Sequence, residues 1–164
     1  CPERMCQREF PIVDGIPIIV PDPRSVISGQ AFGLLRRDDL STQELAQVVG
    51  AASMIDSDHY RTEILRQVAD LGMADPAIQE AYFRSLEGID SDHYALEALR
   101  GLIRQERIPA ELLRAVLEWS PEIESDHYLS ELLMEVVRRF PLEGATRNAF
   151  IRAMDELMRL SSWP

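Results

Sequence analysis

The tetrapeptide Ser-Asp-His-Tyr occurs three times, at Ser57 to Tyr60, Ser91 to Tyr94 and Ser125 to Tyr128, recurring with a period of 34 residues. All three histidines of the chain and three of its four tyrosines sit in these copies. An aspartate beside a histidine is the pairing that a general base or a metal site would use. The spacing argues against both. A fixed period of this size marks a repeat architecture, and stacked helices lie about 8–10 Å apart. Zinc holds a histidine nitrogen at about 2.0–2.1 Å, so two repeats cannot share one ion, and a single Asp–His pair offers too few ligands. Within one copy, serine and histidine stand two residues apart at a helix start and point in different directions, which gives no Ser–His–Asp relay. His59, His93 and His127 therefore read as a periodic row along one edge, serving recognition or packing.

The other residues able to do chemistry are Cys1 and Cys6. A cysteine nucleophile needs a histidine partner, and none lies near them in sequence. After them, Phe10-Pro11-Ile12-Val13 and Ile16-Pro17-Ile18-Ile19-Val20 flank Asp14-Gly15, a two-residue turn that predicts a β-hairpin. The stretch from Cys1-Pro2-Glu3-Arg4-Met5-Cys6 through Ile16-Pro17 resembles the second half of the zinc ribbon found ahead of some bacterial S-adenosylmethionine-dependent methyltransferases. It is also similar to small zinc-ribbon subunits that activate methyltransferases. The resemblance implies Cys1 and Cys6 as zinc ligands, but tetrahedral zinc takes four. A further cysteine pair would have to be supplied upstream. No Gly-x-Gly-x-x-Gly follows a strand and no βαβ alternation appears, so the cofactor-binding domain of a methyltransferase is not expected here. Residues 1–21 are expected to form a partial zinc-ribbon-like hairpin.

Beyond residue 22, helical periodicity replaces the strand pattern. Aligned on the tyrosines, Ile64, Ala98 and Leu132 share a column, as do Leu65, Leu99 and Leu133, and Val68, Leu102 and Val136. Offsets of 4, 5 and 8 place them on one helix face, predicting first helices over about 58–72, 92–106 and 126–139. A proline-bearing break follows each one. The second helices carry the columns Ala81, Ala115 and Ala149, then Tyr82, Val116 and Phe150, then Phe83, Leu117 and Ile151. The frame extends one period backwards, with Val48, Val49 and Ile55 in second-helix columns and the motif lost at Asp22 to Val26. The predicted fold is all-α, an α-solenoid of four 34-residue helix–turn–helix repeats (22–55, 56–89, 90–123 and 124–160) preceded by the short hairpin. A degenerate first repeat suits a terminal cap.

Thirty-four residues is also the tetratricopeptide period, but that family's Trp, Leu-Gly and Tyr pattern is not found. Residues 22–160 resemble HEAT-like repeats carrying Ser-Asp-x-Tyr at the head of each first helix, such as those at the C-terminal ends of some membrane metallopeptidases of the antibiotic-sensor type. The peptidase's His-Glu-x-x-His is absent, so no hydrolytic role carries over. Serine and aspartate suit helix starts, where their oxygens accept from unpaired amides and the aspartate complements the helix dipole. Glu63, Glu97 and Glu131 form a further column, with Arg66 and Arg100 three residues after the first two, which predicts a solvated, paired face.

The net charge of −11 at pH 7 argues against nucleic acid and anionic membrane surfaces, where binding neutralises phosphate. No apolar run approaches the roughly 18 residues that span a bilayer. The chain starts at Cys1 with no signal-peptide pattern, which suggests an excised region and a cytoplasmic setting. The expected function is a non-enzymatic protein–protein interaction scaffold without a cofactor. Mixed charges on the second helices (Glu80, Arg84, Arg114, Glu118, Arg147 and Arg152) fit a protein or peptide partner, with His59, His93, His127 and Trp119 as contact candidates. The competing expectation is an accessory or fragment of a zinc-ribbon methyltransferase without its catalytic domain.

Overall fold

The computed structural model of the chain describes residues 12–13, 16–17, 31, 33–35, 40–105 and 107–161. Strands β1 (Ile12–Val13) and β2 (Ile16–Pro17) pair antiparallel, Val13 opposite Ile16. The turn residues between them, Cys1, Cys6 and the degenerate motif at 22–26 lie outside the described residues.

The rest of the described chain is helical. Residues 31 and 33–35 belong to α1. Then come α2 (Thr42–Ala52), α3 (Asp58–Leu71), α4 (Pro76–Leu86), α5 (Asp92–Ile103), α6 (Ala110–Trp119), a single 3-10 turn at Ser120–Glu122, α7 (Asp126–Arg139) and α8 (Gly144–Ser161). Helices α3, α5 and α7 each begin at the motif aspartate, so the 34-residue sequence period is also the structural one. Local chemistry sets the other starts. Ser41 and Glu44 form a reciprocal capping box on α2. Asp75 Oδ1 accepts from Ala77 N at 2.7 Å, with Pro76 in the first turn of α4.

Each helix packs on its counterpart one period along: α3 on α5, α5 on α7, α2 on α4 and α6 on α8, while α4 and α6 approach each other less closely. The first-helix columns are buried without exception, from Ile64, Ala98 and Leu132 to Val68, Leu102 and Val136. The second-helix columns hold less evenly. Tyr82, Val116 and Leu117 are buried, Phe83 and Phe150 partly so, and Ile151 is 46% exposed. Val137, whose counterpart Ile103 is fully buried, is 53% exposed. Both belong to the last helical pair, where no described helix follows to cover them.

Polar contacts cross from one repeat to the next at separations close to the period. Ser85 Oγ donates to Val49 O, Thr62 Oγ1 to Tyr94 O and Gln105 Nε2 to Ala69 O. Arg139, the counterpart of Gln105, donates to Arg104 O. Buried Tyr82 donates its hydroxyl to Ala98 O at 2.8 Å. Burial, reinforced by Asp70, pushes that phenol well above its ordinary range, so it stays a donor.

Candidate functional site

The motif copies line up along the edge where α3, α5 and α7 begin. The serines sit at the helix N-cap position with nearly the same backbone (φ −87, −91 and −83°; ψ 114, 116 and 119°). Two of them cap nothing with their side chains, and only Ser125 Oγ accepts a long bond from Tyr128 N at 3.5 Å.

The aspartates take a role different from the expected one. Asp58 Oδ2 accepts from Ser91 N at 2.9 Å, in the following copy. Asp92 Oδ2 does the same with Ser125 N at 2.9 Å, and its Oδ1 accepts from Glu124 N at 3.3 Å. Each carboxylate thus clamps the backbone that leads into the next first helix. Chain amides entering a helix have no intrahelical partner, and a charged acceptor is roughly twice as strong as a neutral one. Asp126 has no following copy to clamp and is exposed.

The histidines fill the spaces between tyrosines. His59 packs against Tyr60 at 5.2 Å between ring centroids and against Tyr94 of the next copy at 5.9 Å. His93 packs against Tyr94 at 5.2 Å and Tyr128 at 5.8 Å. His127 packs against Tyr128 alone, at 5.1 Å. Six rings form one alternating row, tilted or edge-on as aromatic quadrupoles prefer, and all three histidines keep an exposed face. Among the described residues, no three His, Cys, Asp or Glu side chains gather as a metal ion would require. None of the described helices is long and apolar enough to cross a membrane.

The same helices carry a polar cluster that is less solvated than its column spacing predicts. Glu63 pairs with Arg66 and Glu97 with Arg100, as the spacing predicts. Arg100 goes further, donating Nη2 to Glu131 Oε2 at 2.8 Å and Nε to Glu135 Oε2 at 2.9 Å, both on α7. Its side chain is only 20% exposed, so one guanidinium meets three carboxylates and ties α5 to α7 through two of them. Burial works against the charge on Glu97, yet the hydrogen bond and charge of Arg100 outweigh it and hold this carboxyl below the usual range. The same bonds raise Arg100 further against its own desolvation. His127 Nε2 also lies 3.5 Å from Glu131 Oε1.

Trp119, at the end of α6, is partly buried, and its Nε1 has no acceptor. It borders a cavity of about 130 Å³ between α4, α5 and α6, a feature that no sequence pattern indicates. The second-helix charges largely satisfy one another, through Arg84–Glu80, Arg114–Glu118 and Arg152–Glu118. Exposed pairs of this kind contribute little stability.

Comparison with known proteins returns no matching family model, curated relative or solved structure.

Two predictions follow from the clamps and the charge cluster. Asp92→Ala removes a carboxylate that accepts two amides and should lower the urea-unfolding free energy by about 2 kcal/mol. Asp126→Ala, with no amide to release, should change it by under about 0.5 kcal/mol. Equal losses would refute the clamp. For Glu97, a depressed folded pKa means that its stabilisation is complete above its ordinary value of 4.5 and disappears as pH falls through the folded value. Unfolding midpoints measured from pH 6 down to 3 should therefore fall less steeply in Glu97→Gln than in the parent chain.

Proposed function

We propose that this chain is a non-enzymatic interaction scaffold, an α-solenoid of HEAT-like helical pairs that holds a protein or peptide partner along its His–Tyr edge. The observation that carries this reading is the continuous row of six rings crossing three motif copies, with an exposed face at His59, His93 and His127. Stacked repeats give such a row a rigid spacing, and an extended partner can meet successive copies in register. Imidazole and phenol edges supply both apolar area and hydrogen-bonding groups, the mixture that protein interfaces favour. Acidic groups flank the row: Asp56, Asp90 and Glu124 precede the three copies and are exposed. The partner surface that suits it therefore carries positive charge.

Ring packing and recognition are separable by substitution. Replacing His59, His93 and His127 together by phenylalanine keeps the rings and should leave the thermal midpoint close to that of the parent. Replacing them by alanine removes the inter-copy contacts, each worth about 0.5–1.5 kcal/mol, and should lower it. Partners captured on the immobilised parent chain, then purified and titrated directly, should bind both variants at least about tenfold more weakly, a change of about 1.4 kcal/mol. Unchanged affinity for the phenylalanine variant would reduce the histidines to packing groups and remove the recognition edge.

A further inference from the structure

The position after the motif tyrosine holds a different residue in each copy: Arg61, Ala95 and Leu129. Arg61 is buried, at 5% exposure, although it is a cation. Its Nε donates to Ala52 O at 3.3 Å, and its Nη2 to Ser53 O at 3.4 Å and Ile55 O at 2.6 Å. These carbonyls belong to the end of α2 and the stretch leading into α3. Gly88 lies against the same guanidinium, where a Cβ would stand 2.3 Å from Nη1. The first junction is thus a socket filled by the chain's own arginine, whose Nε and Nη2 meet carbonyls while Nη1 is buried against Gly88 without an acceptor among the described residues.

The second junction repeats the backbone of that socket. Glu87 follows α4 with φ −56° and ψ −20°, and Ser53 follows α2 with φ −63° and ψ −17°. Ile89 N donates to Leu86 O at 2.9 Å, as Ile55 N does to Ala52 O at 3.1 Å. Leu86 O, Glu87 O and Ile89 O therefore occupy the places of the three carbonyls that hold Arg61. No donor reaches the Glu87 or Ile89 carbonyl among the described residues. Ala95 is too short to fill the space, and the cavity of about 130 Å³ lies there. At the third junction, buried Leu129 occupies the corresponding position with hydrocarbon.

The lining has changed in step with the vacancy. Glu122 stands where Gly88 made room, and Trp119 stands where Ser85 donates to Val49 O in the first junction. Glu87 and Glu122 are exposed, and Asp92 lines the interior with acceptor capacity beyond the amides it clamps. Carbonyls, carboxylates and an indole wall together favour a planar cation through charge-assisted hydrogen bonds and cation–π contact. A guanidinium presents a rigid fork of donors to such an array, whereas an ammonium presents a compact, strongly hydrated point charge.

We infer that the cavity between α4, α5 and α6 is a docking socket for an arginine side chain of a partner peptide, the intermolecular counterpart of the socket that Arg61 fills. This rests on the scaffold reading insofar as the arginine belongs to another chain, and it assigns that partner a chemistry. The socket adjoins the His–Tyr row through Asp92, which precedes His93, so a single bound segment can use both.

The test uses the full chain carrying Trp163→Phe, which leaves Trp119 as the only indole. Titration with acetyl-glycyl-arginyl-glycinamide should give a saturable fluorescence change, with the lysine and citrulline versions binding at least about tenfold more weakly. Ala95→Leu and Ala95→Arg, which fill the socket as the third and first junctions do, should abolish the response while leaving the thermal midpoint unchanged or raised. Glu122→Gln, an exposed change outside the core, should weaken arginine binding severalfold. No saturable response, equal binding of the lysine peptide, or full binding by Ala95→Leu would each overturn the socket. If the peptide fails while histidine-dependent partner capture persists, the socket is refuted and the scaffold stands.

Discussion

The repeats of this chain are held in register by a carboxylate in one copy accepting backbone amides from the next. Asp58 does this for Ser91, and Asp92 for Glu124 and Ser125. The amides concerned lie where the chain turns into a first helix, a place where the helix itself offers no acceptor. A backbone amide left without a partner costs about as much as a lost hydrogen bond, so each clamp both satisfies the entry and fixes the offset between neighbours. Around it, the His–Tyr row bridges the same copies, and Arg100 bridges α5 to α7. Coupling through nearest neighbours is what an array of stacked units requires.

Within that frame, single columns are free to diverge. The position after the tyrosine is a buried cation, a methyl group and a leucine in successive copies, and only the methyl group leaves a cavity. The Arg66 and Arg100 column shows the same freedom. Arg66 pairs with Glu63 on its own helix, while Arg100 reaches two more glutamates because Glu131 and Glu135 stand opposite it. The counterparts facing Arg66 on α5 are Glu97 and Gly101, and the glycine leaves the α3 backbone close by, at 3.4 Å from where its Cβ would be.

The helices and their buried columns were legible in the sequence because a 34-residue period and a 3.6-residue period coincide in it. The first helices begin at the predicted aspartates, and Ile64, Leu99 and Val136 are buried as the columns require. Contacts between copies were not legible. Sequence assigns an aspartate at a helix start to its own helix, whereas Asp58 and Asp92 serve amides more than thirty residues away. The Glu97–Arg100 spacing shows an intrahelical pair but not the two glutamates that arrive from α7. Ile151 sits in a column that is buried elsewhere, yet periodicity carries no information about which pair has no neighbour. Trp119 shares its column with Ser85 and Ala153, which marks it as a residue of interest, but the cavity beside it depends on Ala95, which periodicity treats as an ordinary small core residue.

Amide hydrogen exchange at the three motif serines tests the clamp most directly. Their backbones are nearly identical, but the residue one period before Asp58 is Arg24, so the sequence offers Ser57 no aspartate at the equivalent position. The clamp predicts that Ser91 and Ser125 amides exchange as slowly as interior helix amides of α5, and that Ser57 exchanges at least about tenfold faster. Equal exchange at all three serines would contradict the claim that these carboxylates hold the copies together.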